Sequence, residues 1–291
     1  MDDFEQARRS FLAHLAGLNR SRHTLDAYGR DVAQFGRFLQ EKAVVSLTDV
    51  NPGHVSAWLA HLAEKEVSGA SRARKFYALR SFFDYLVATG QLPHNPSRGL
   101  EAPQGAKKEP RVLTKTEVKA LQGVAQPDPR NAAIVEVLLQ TGLRVGELVA
   151  LTLDDVVWAE ENTVGHLHIR QGKGDKDRLV ALNTRAEKAL KRYLKVRPQS
   201  AHQELFLSKR KAKPLYSADV RAMLRKLYEQ ASIRGATVHT LCHTFCTHHA
   251  AAGTNLLVIQ RAAGHASLTT TQRYLHLVEQ MMGEQLEAHA L

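Results

Sequence analysis

Residues 264–274 read GHASLTTTQRY, and residues 239–245 read HTLCHTF. A tyrosine on a helix is ordinarily a packed ring. Tyr274, behind a Gly264-His265 pair and a run of threonines, stands in a pattern that packing alone does not call for. Two more segments carry cations among glycines: TGLRVGEL (141–148), with Arg144 and Glu147, and QGKGDKDR (171–178), with Lys173 between its two glycines. The GKG in the latter is not a nucleotide-binding loop, because G-x-x-x-x-G-K-[ST] is absent, and nucleotide hydrolysis is set aside.

Outward from these segments, the second half mixes element types. Residues 132–140 form a nearly continuous apolar run suited to a buried helix, stopped by Thr141-Gly142. Residues 163–170 (TVGHLHIR) alternate like a strand, 178–182 (RLVAL) can pair with them, and QGKGDKD supplies a glycine-rich hairpin turn. Helices are expected over 185–196, 218–232, 238–251, 256–263 and 269–278, followed by an amphipathic tail. The first hundred residues show only helical spacing. Phe11, Leu12, Leu15 and Leu18 share one face. Ser21 or Thr24 caps a second helix carrying Leu25, Tyr28, Val32, Phe35 and Leu39, and Asn51-Pro52 opens a third with Val55, Trp58, Leu59 and Leu62. Ser68 starts a fourth, with Phe76, Leu79, Phe82, Phe83 and Leu86 on its apolar side. Between the halves, Pro93, Pro96, Pro103 and Pro110 with Gly99 and Gly105 cannot continue a helix. The expected organisation is mainly α with a small β-sheet, in two domains: a four-helix unit over 1–99, a linker over 100–112, and a mixed α/β domain over 113–291.

The 291 residues fit about two domains. Forty Lys and Arg against 29 Asp and Glu leave a net charge of +11, which points to a polyanionic partner such as nucleic acid. Both halves are basic, as a partner touched by both requires. No stretch approaches the ~18 apolar residues of a membrane span, and the polar start MDDFEQARRS does not read as a secretion signal. The two cysteines, Cys242 and Cys246, offer no disulfide framework, which fits a reducing cytoplasm.

Together the four segments resemble the tyrosine recombinase (phage integrase) family, and in size and layout its Xer-type members, over essentially the whole chain. The resemblance implies a helical core-binding (SAM-like) domain for the first half, including SRHTLDAYGRDVAQFGRFL and SRARKFYALRSFFDYL, and a catalytic domain for the second. It implies a site-specific recombinase acting on a double-stranded DNA site. A tyrosine attacks the phosphodiester, leaving a 3′-phosphotyrosyl link and a free 5′-hydroxyl. Because the link retains the phosphoester energy, rejoining needs no ATP. By the same resemblance Tyr274 is the nucleophile, Arg144 the first phosphate-binding arginine, with Glu147 orienting it, and Lys173 the hairpin lysine that protonates the leaving oxygen. His239 is a candidate general acid/base and His265 a donor to a non-bridging oxygen. The chemistry is coherent: a phenol of pKa ~10 needs a base or a cationic site, and charge gathering on the phosphoryl oxygens suits guanidinium forks. No metal and no cofactor are demanded. The resemblance also implies four protomers on two sites, each docking a C-terminal helix into a neighbour; residues 279–291 (EQMMGEQLEAHAL) are suited to that role.

One position departs from the pattern. The family's H-x-L-R-H becomes His239-Thr240-Leu241-Cys242-His243, so Cys242 stands where the second phosphate-clamping arginine is expected. Loss of such a donor costs about 3–4 kcal/mol, roughly 10² to 10³ in rate, and Arg234 is the nearest upstream cation. Two further readings therefore stay open: a non-catalytic DNA-binding accessory protein with a degenerate site, and a type IB topoisomerase, which the helical N-terminal half argues against. His239, Cys242, His243 and Cys246 are all zinc-ligand types at i, i+3, i+4 and i+7. Strung along about 10 Å of helix, all four cannot converge on one ion.

Overall fold

The structure is a computed structural model and describes residues 2–44, 46–105, 109–161, 163–170 and 177–265, together with 271, 272, 274 and 278. It divides into two units, Met1–Lys108 and Glu109–Leu291. The division falls inside the 100–112 stretch. Leu100 and Ala102 pack on the first unit's core, where Arg80 donates to the Leu100 carbonyl at 2.7 Å. Arg111 instead pairs with Glu117 in the second unit.

The first unit holds helices α1 (Asp2–Gly17), α2 (Arg22–Glu41), α3 (Pro52–Glu64) and α4 (Gly69–Ala88), and the last three begin where small polar residues satisfy the first free N–H groups. Of the two candidate caps for α2, Ser21 takes the position, its hydroxyl accepting from the Thr24 N–H at 3.2 Å. Asn51 caps α3 with Pro52 at its first turn, and Ser68 caps α4. The helices meet over an aromatic core of Phe4, Phe11, Phe35, Trp58, Phe76, Phe82 and Phe83. Phe35 stands edge-on to both Trp58 and Phe83. Leu18 departs from its expected place: α1 ends at Gly17, and Leu18 turns out to solvent, 55% exposed. Asp31, a buried carboxylate of this unit, is neutralised across helices by Lys75 at 2.9 Å and by Arg74.

The second unit runs α5 (Lys115–Ala125), α6 (Pro129–Thr141), α7 (Val145–Ala150), β1 (Val156–Val157), β2 (Gly165–Ile169), β3 (Arg178–Leu182), α8 (Thr184–Leu194), α9 (Ser217–Gln230), α10 (Val238–Ala251) and α11 (Leu256–Ala263). The sheet is antiparallel in the order β1-β2-β3, with Leu167 opposite Val180 on its buried face. The expected hairpin strands are both present; its turn, residues 171–176, lies outside the described residues, as do most of the helix expected over 269–278 and the tail over 279–291. Thr271, Gln272, Tyr274 and Val278 are helical. The short elements α5, α7 and β1 were not expected from periodicity, being too short or too mixed in pattern to announce themselves. Helix α6 is the buried centre, with Ala133, Ile134, Val135 and Val137 fully covered. It ends at Gly142 in the left-handed conformation, φ 67°. A β-carbon there would lie 2.4 Å from Cδ1 of Phe245, so α10 packs against the bare backbone of this turn. That close approach brings TGLR, with Arg144, beside α10.

Candidate active site

Arg144 is the residue before α7, and its backbone N–H donates to Glu147 Oε2 at 2.9 Å, a bond that starts the helix and fixes the carboxylate. Its guanidinium donates to Glu147 Oε1 at 3.0 Å and to the Gly264 carbonyl at 2.7 Å. Arg178, at the start of β3, forks onto the same carboxylate, Nη1 to Oε1 at 3.0 Å and Nη2 to Oε2 at 2.9 Å, and its Nε donates to the Ala262 carbonyl at 3.2 Å. Glu147 is thus a hub joining α7, β3 and the end of α11. Burial pushes its pKa up, but the bonds from Arg178 and from the Arg144 backbone, with both positive charges, outweigh burial and hold the carboxyl below the usual glutamate range. Gly264 sits under both guanidinium groups at φ 63°: a β-carbon would meet Arg178 Cζ at 2.7 Å and Arg144 Nη1 at 2.9 Å. The glycine of the GH pair is required by this approach.

The residue after it, His265, is held on three sides. Its N–H donates to the Gln260 carbonyl at 3.0 Å, Gln260 Nε2 donates to its carbonyl at 3.2 Å, and its ring Nδ1 lies 2.9 Å from Thr271 Oγ1. The His265 ring stacks on Tyr274, with centroids 6.0 Å apart and planes 13° from parallel. On the other side, the Tyr274 hydroxyl is 2.8 Å from His243 Nδ1. Tyr274 is 1% exposed and packs with Phe245, Cys246, Ile259 and Ala263.

Of the six expected site residues, Arg144, Cys242, His265 and Tyr274 converge on this end of α10 and α11. His239 stands exposed in the first turn of α10, and the histidine that meets the tyrosine hydroxyl is His243, one turn further on. Sequence reasoning weighed His243 only as a metal ligand; its signal was the i+4 spacing from His239, which a helix places on the same face. Arg178 was missed as a site residue, although it closes the QGKGDKDR segment. Lys173 lies outside the described residues.

Cys242 is half-buried and Cys246 fully buried. A hydrogen bond from Cys246 lowers the Cys242 thiol against the effect of burial, and His265 lowers it further. The same bond and burial raise Cys246. The donor atoms of Cys242, Cys246 and His265 all lie within 4.8 Å of one another. The convergent set is therefore not the four-residue stripe weighed from the sequence. His239 is exposed and His243 meets the Tyr274 hydroxyl, so both drop out, and His265 enters from the neighbouring segment.

With this geometry in view, the comparisons with known proteins are decisive. The sequence profile of the phage integrase family matches residues 111–281, and that of the phage integrase N-terminal SAM-like domain matches residues 9–90. The chain belongs to the phage integrase family. A tyrosine recombinase XerC of Pelobacter propionicus is 34% identical over 97% of this chain and 94% of its own length. A tyrosine recombinase XerD of Rhizobium meliloti is 33% identical over 92% and 89%. Among solved structures, XerH recombinase bound to its palindromic difH substrate after cleavage shares the fold, with a TM-score of 0.76 over 92% of this chain and 80% of that one, at 24% identity. Membership in this family gives the mainly helical, two-part architecture its context. No helix among the described residues is long and apolar enough to cross a membrane.

Proposed function

We propose that this chain is a site-specific DNA recombinase of the Xer type, that Tyr274 is its nucleophile, and that Cys242 slows the chemistry. The observation that carries the reading is the joint placement of a tyrosine hydroxyl on a histidine, a second histidine on the same ring, and an arginine anchored at the preceding glycine. The Tyr274 oxygen bonds to phosphorus as the bond from phosphorus to the 5′-oxygen breaks. The phenol proton passes to a base, for which His243 is the group in contact, and the leaving oxygen takes a proton from Lys173. Arg144 and His265 hold the non-bridging oxygens, where preorganised donors act most strongly; His239 serves from the exposed first turn of α10. Glu147 and Arg178 are positioning residues: they touch Arg144 and the Gly264 turn rather than the phosphate. Tyr274 is covered, so reaching a DNA phosphate requires the side chains around it to move.

Two basic units supply phosphate contacts over a duplex, and affinity falls steeply with salt. The relatives' recombinase names and the fold shared with a lambda integrase tetramer on a Holliday junction support partner protomers on paired sites, with residues 279–291 as the exchanged segment. The domain division that goes with this reading is 1–99, 100–112 and 113–291.

Cys242 favours one second reading, a DNA-binding accessory protein without catalysis. A suicide substrate nicked beside the scissile phosphate separates the two. A covalent adduct that disappears in Tyr274→Phe supports the recombinase; site binding without an adduct supports the accessory role. Relaxation of supercoils without site preference would instead mark a topoisomerase.

A further inference from the structure

Cys242, Cys246 and His265 form a group of three soft donors drawn from two segments of the chain. The two cysteines stand at i and i+4 on α10, which places their sulfurs on one helix face. The histidine arrives from beyond α11 and closes the third side. We infer that these three residues bind a thiophilic divalent cation, of which Zn²⁺ is the biological representative, with three protein ligands and one open coordination position.

The geometry is close to what such an ion needs. Zinc bonds of ~2.3 Å to sulfur and ~2.0–2.1 Å to nitrogen, arranged tetrahedrally, put ligand atoms about 3.6–3.8 Å apart. The three donors already lie within 4.8 Å, so about an ångström of side-chain rotation closes the site. The histidine is prepared for the role. With Nδ1 at 2.9 Å from Thr271 Oγ1, Nε2 remains as the ligating nitrogen, and the hydroxyl holds the ring's orientation and can accept from Nδ1–H when Nε2 ligates. Thr271 is itself fully buried, so this support does not exchange with solvent. The His265 N–H to the Gln260 carbonyl and the Gln260 side-chain amide to the His265 carbonyl hold the main chain at the same point. Phe245, Ile259 and Ala263 surround the cysteines with apolar surface, which favours a neutral assembly of two thiolates, one imidazole and one dication over exposed charge.

A disulfide is the competing use of two nearby thiols, but cysteines one helical turn apart on a regular helix are poorly oriented for it. The three-ligand count resembles catalytic rather than structural zinc sites, with the open position available to water or an anion. Occupancy would take His265 away from a DNA phosphate; that consequence rests on the recombinase reading, whereas binding of the ion does not.

The test uses the full chain, reduced, stripped with a chelator and free of DNA, so that its outcome is independent of any recombinase activity. Titration with Co²⁺ is expected to give thiolate-to-cobalt charge-transfer absorption and tetrahedral ligand-field bands that saturate at one ion per chain, and one equivalent of Zn²⁺ is expected to erase them. Thr271→Ala should weaken Zn²⁺ about 10–100-fold, the usual effect of removing an outer-shell partner. Cys242→Ser is the better ligand variant because Cys242 is half-buried and Cys246 fully so; it should abolish the charge-transfer band while the far-ultraviolet circular dichroism stays unchanged. Absence of that band in the folded wild-type chain, or its persistence in folded Cys242→Ser, overturns the inference.

Discussion

Replacing Glu147 by glutamine keeps the shape of the hub and removes its charge. The carboxylate accepts both arms of the Arg178 fork, one arm of Arg144 and the Arg144 N–H, all at 2.9–3.0 Å. The side chains of Glu147 and Arg178 are only 11% and 15% exposed, so Arg178 would be left as a largely buried cation facing an amide. Removing one partner of a buried pair costs about 3–5 kcal/mol. Because Arg178 keeps its bond to the Ala262 carbonyl, the lower end applies, about 3 kcal/mol. For a unit of this size each kcal/mol moves the melting temperature by about 2–4 °C, giving a drop of about 6–12 °C near neutral pH. The effect has a pH signature. Glu147 titrates lower in the folded protein than in the unfolded chain, so its stabilisation is complete above the unfolded value near ~4.3 and is lost as pH falls through the lower, folded value. The gap between wild type and Glu147→Gln should therefore be widest near neutrality and close on acidification. Urea unfolding followed by the fluorescence of Trp158, the tryptophan of the second unit, measures it at each pH. A gap under about 1 kcal/mol at neutral pH, or one that does not narrow in acid, refutes the assignment of Glu147 as the charged hub.

Two further outcomes are expected. Gly264→Ala forces a β-carbon against both guanidinium groups at positive φ, costing at least about 1–2 kcal/mol from the backbone alone, and should reduce tyrosyl-DNA formation far more than DNA retention in a gel-shift assay. Cys242→Arg restores a guanidinium where the family places one and should raise covalent complex formation by about 10² to 10³; equal yields from both proteins would show that Cys242 is no impairment.

Much of this protein is legible in its amino-acid sequence. The four helices of the first unit follow from apolar residues at threes and fours and from caps such as Asn51 and Ser68, because a helix start must satisfy its own free N–H groups within a few residues. The GH dipeptide and Tyr274 were readable as a motif. Helices α5 and α7 were not: six residues give α7 too few turns, and α5 buries only Leu121 and Ala125, too narrow an apolar face to stand out. His243 was read as one of a stripe of metal-type residues; its contact with the Tyr274 hydroxyl depends on how the chain returns after α11, which no spacing within 239–246 encodes.

By itself, then, the amino-acid order determined the helical first half, the hairpin, the family and the residue types available for phosphate chemistry, since these rest on local propensity and contiguous motifs. Tertiary structure alone decided which of those residues meet. Glu147 joins Arg144 to Arg178, 31 residues beyond the carboxylate, Arg144 reaches the Gly264 carbonyl 120 residues away, and Cys242 and Cys246 gain His265 as a third donor. The reason is physical: a side chain's neighbours along the chain are set by covalent geometry, but its neighbours across the fold are set by packing, here by α10 pressing on the bare turn at Gly142 and two guanidinium groups closing over Gly264.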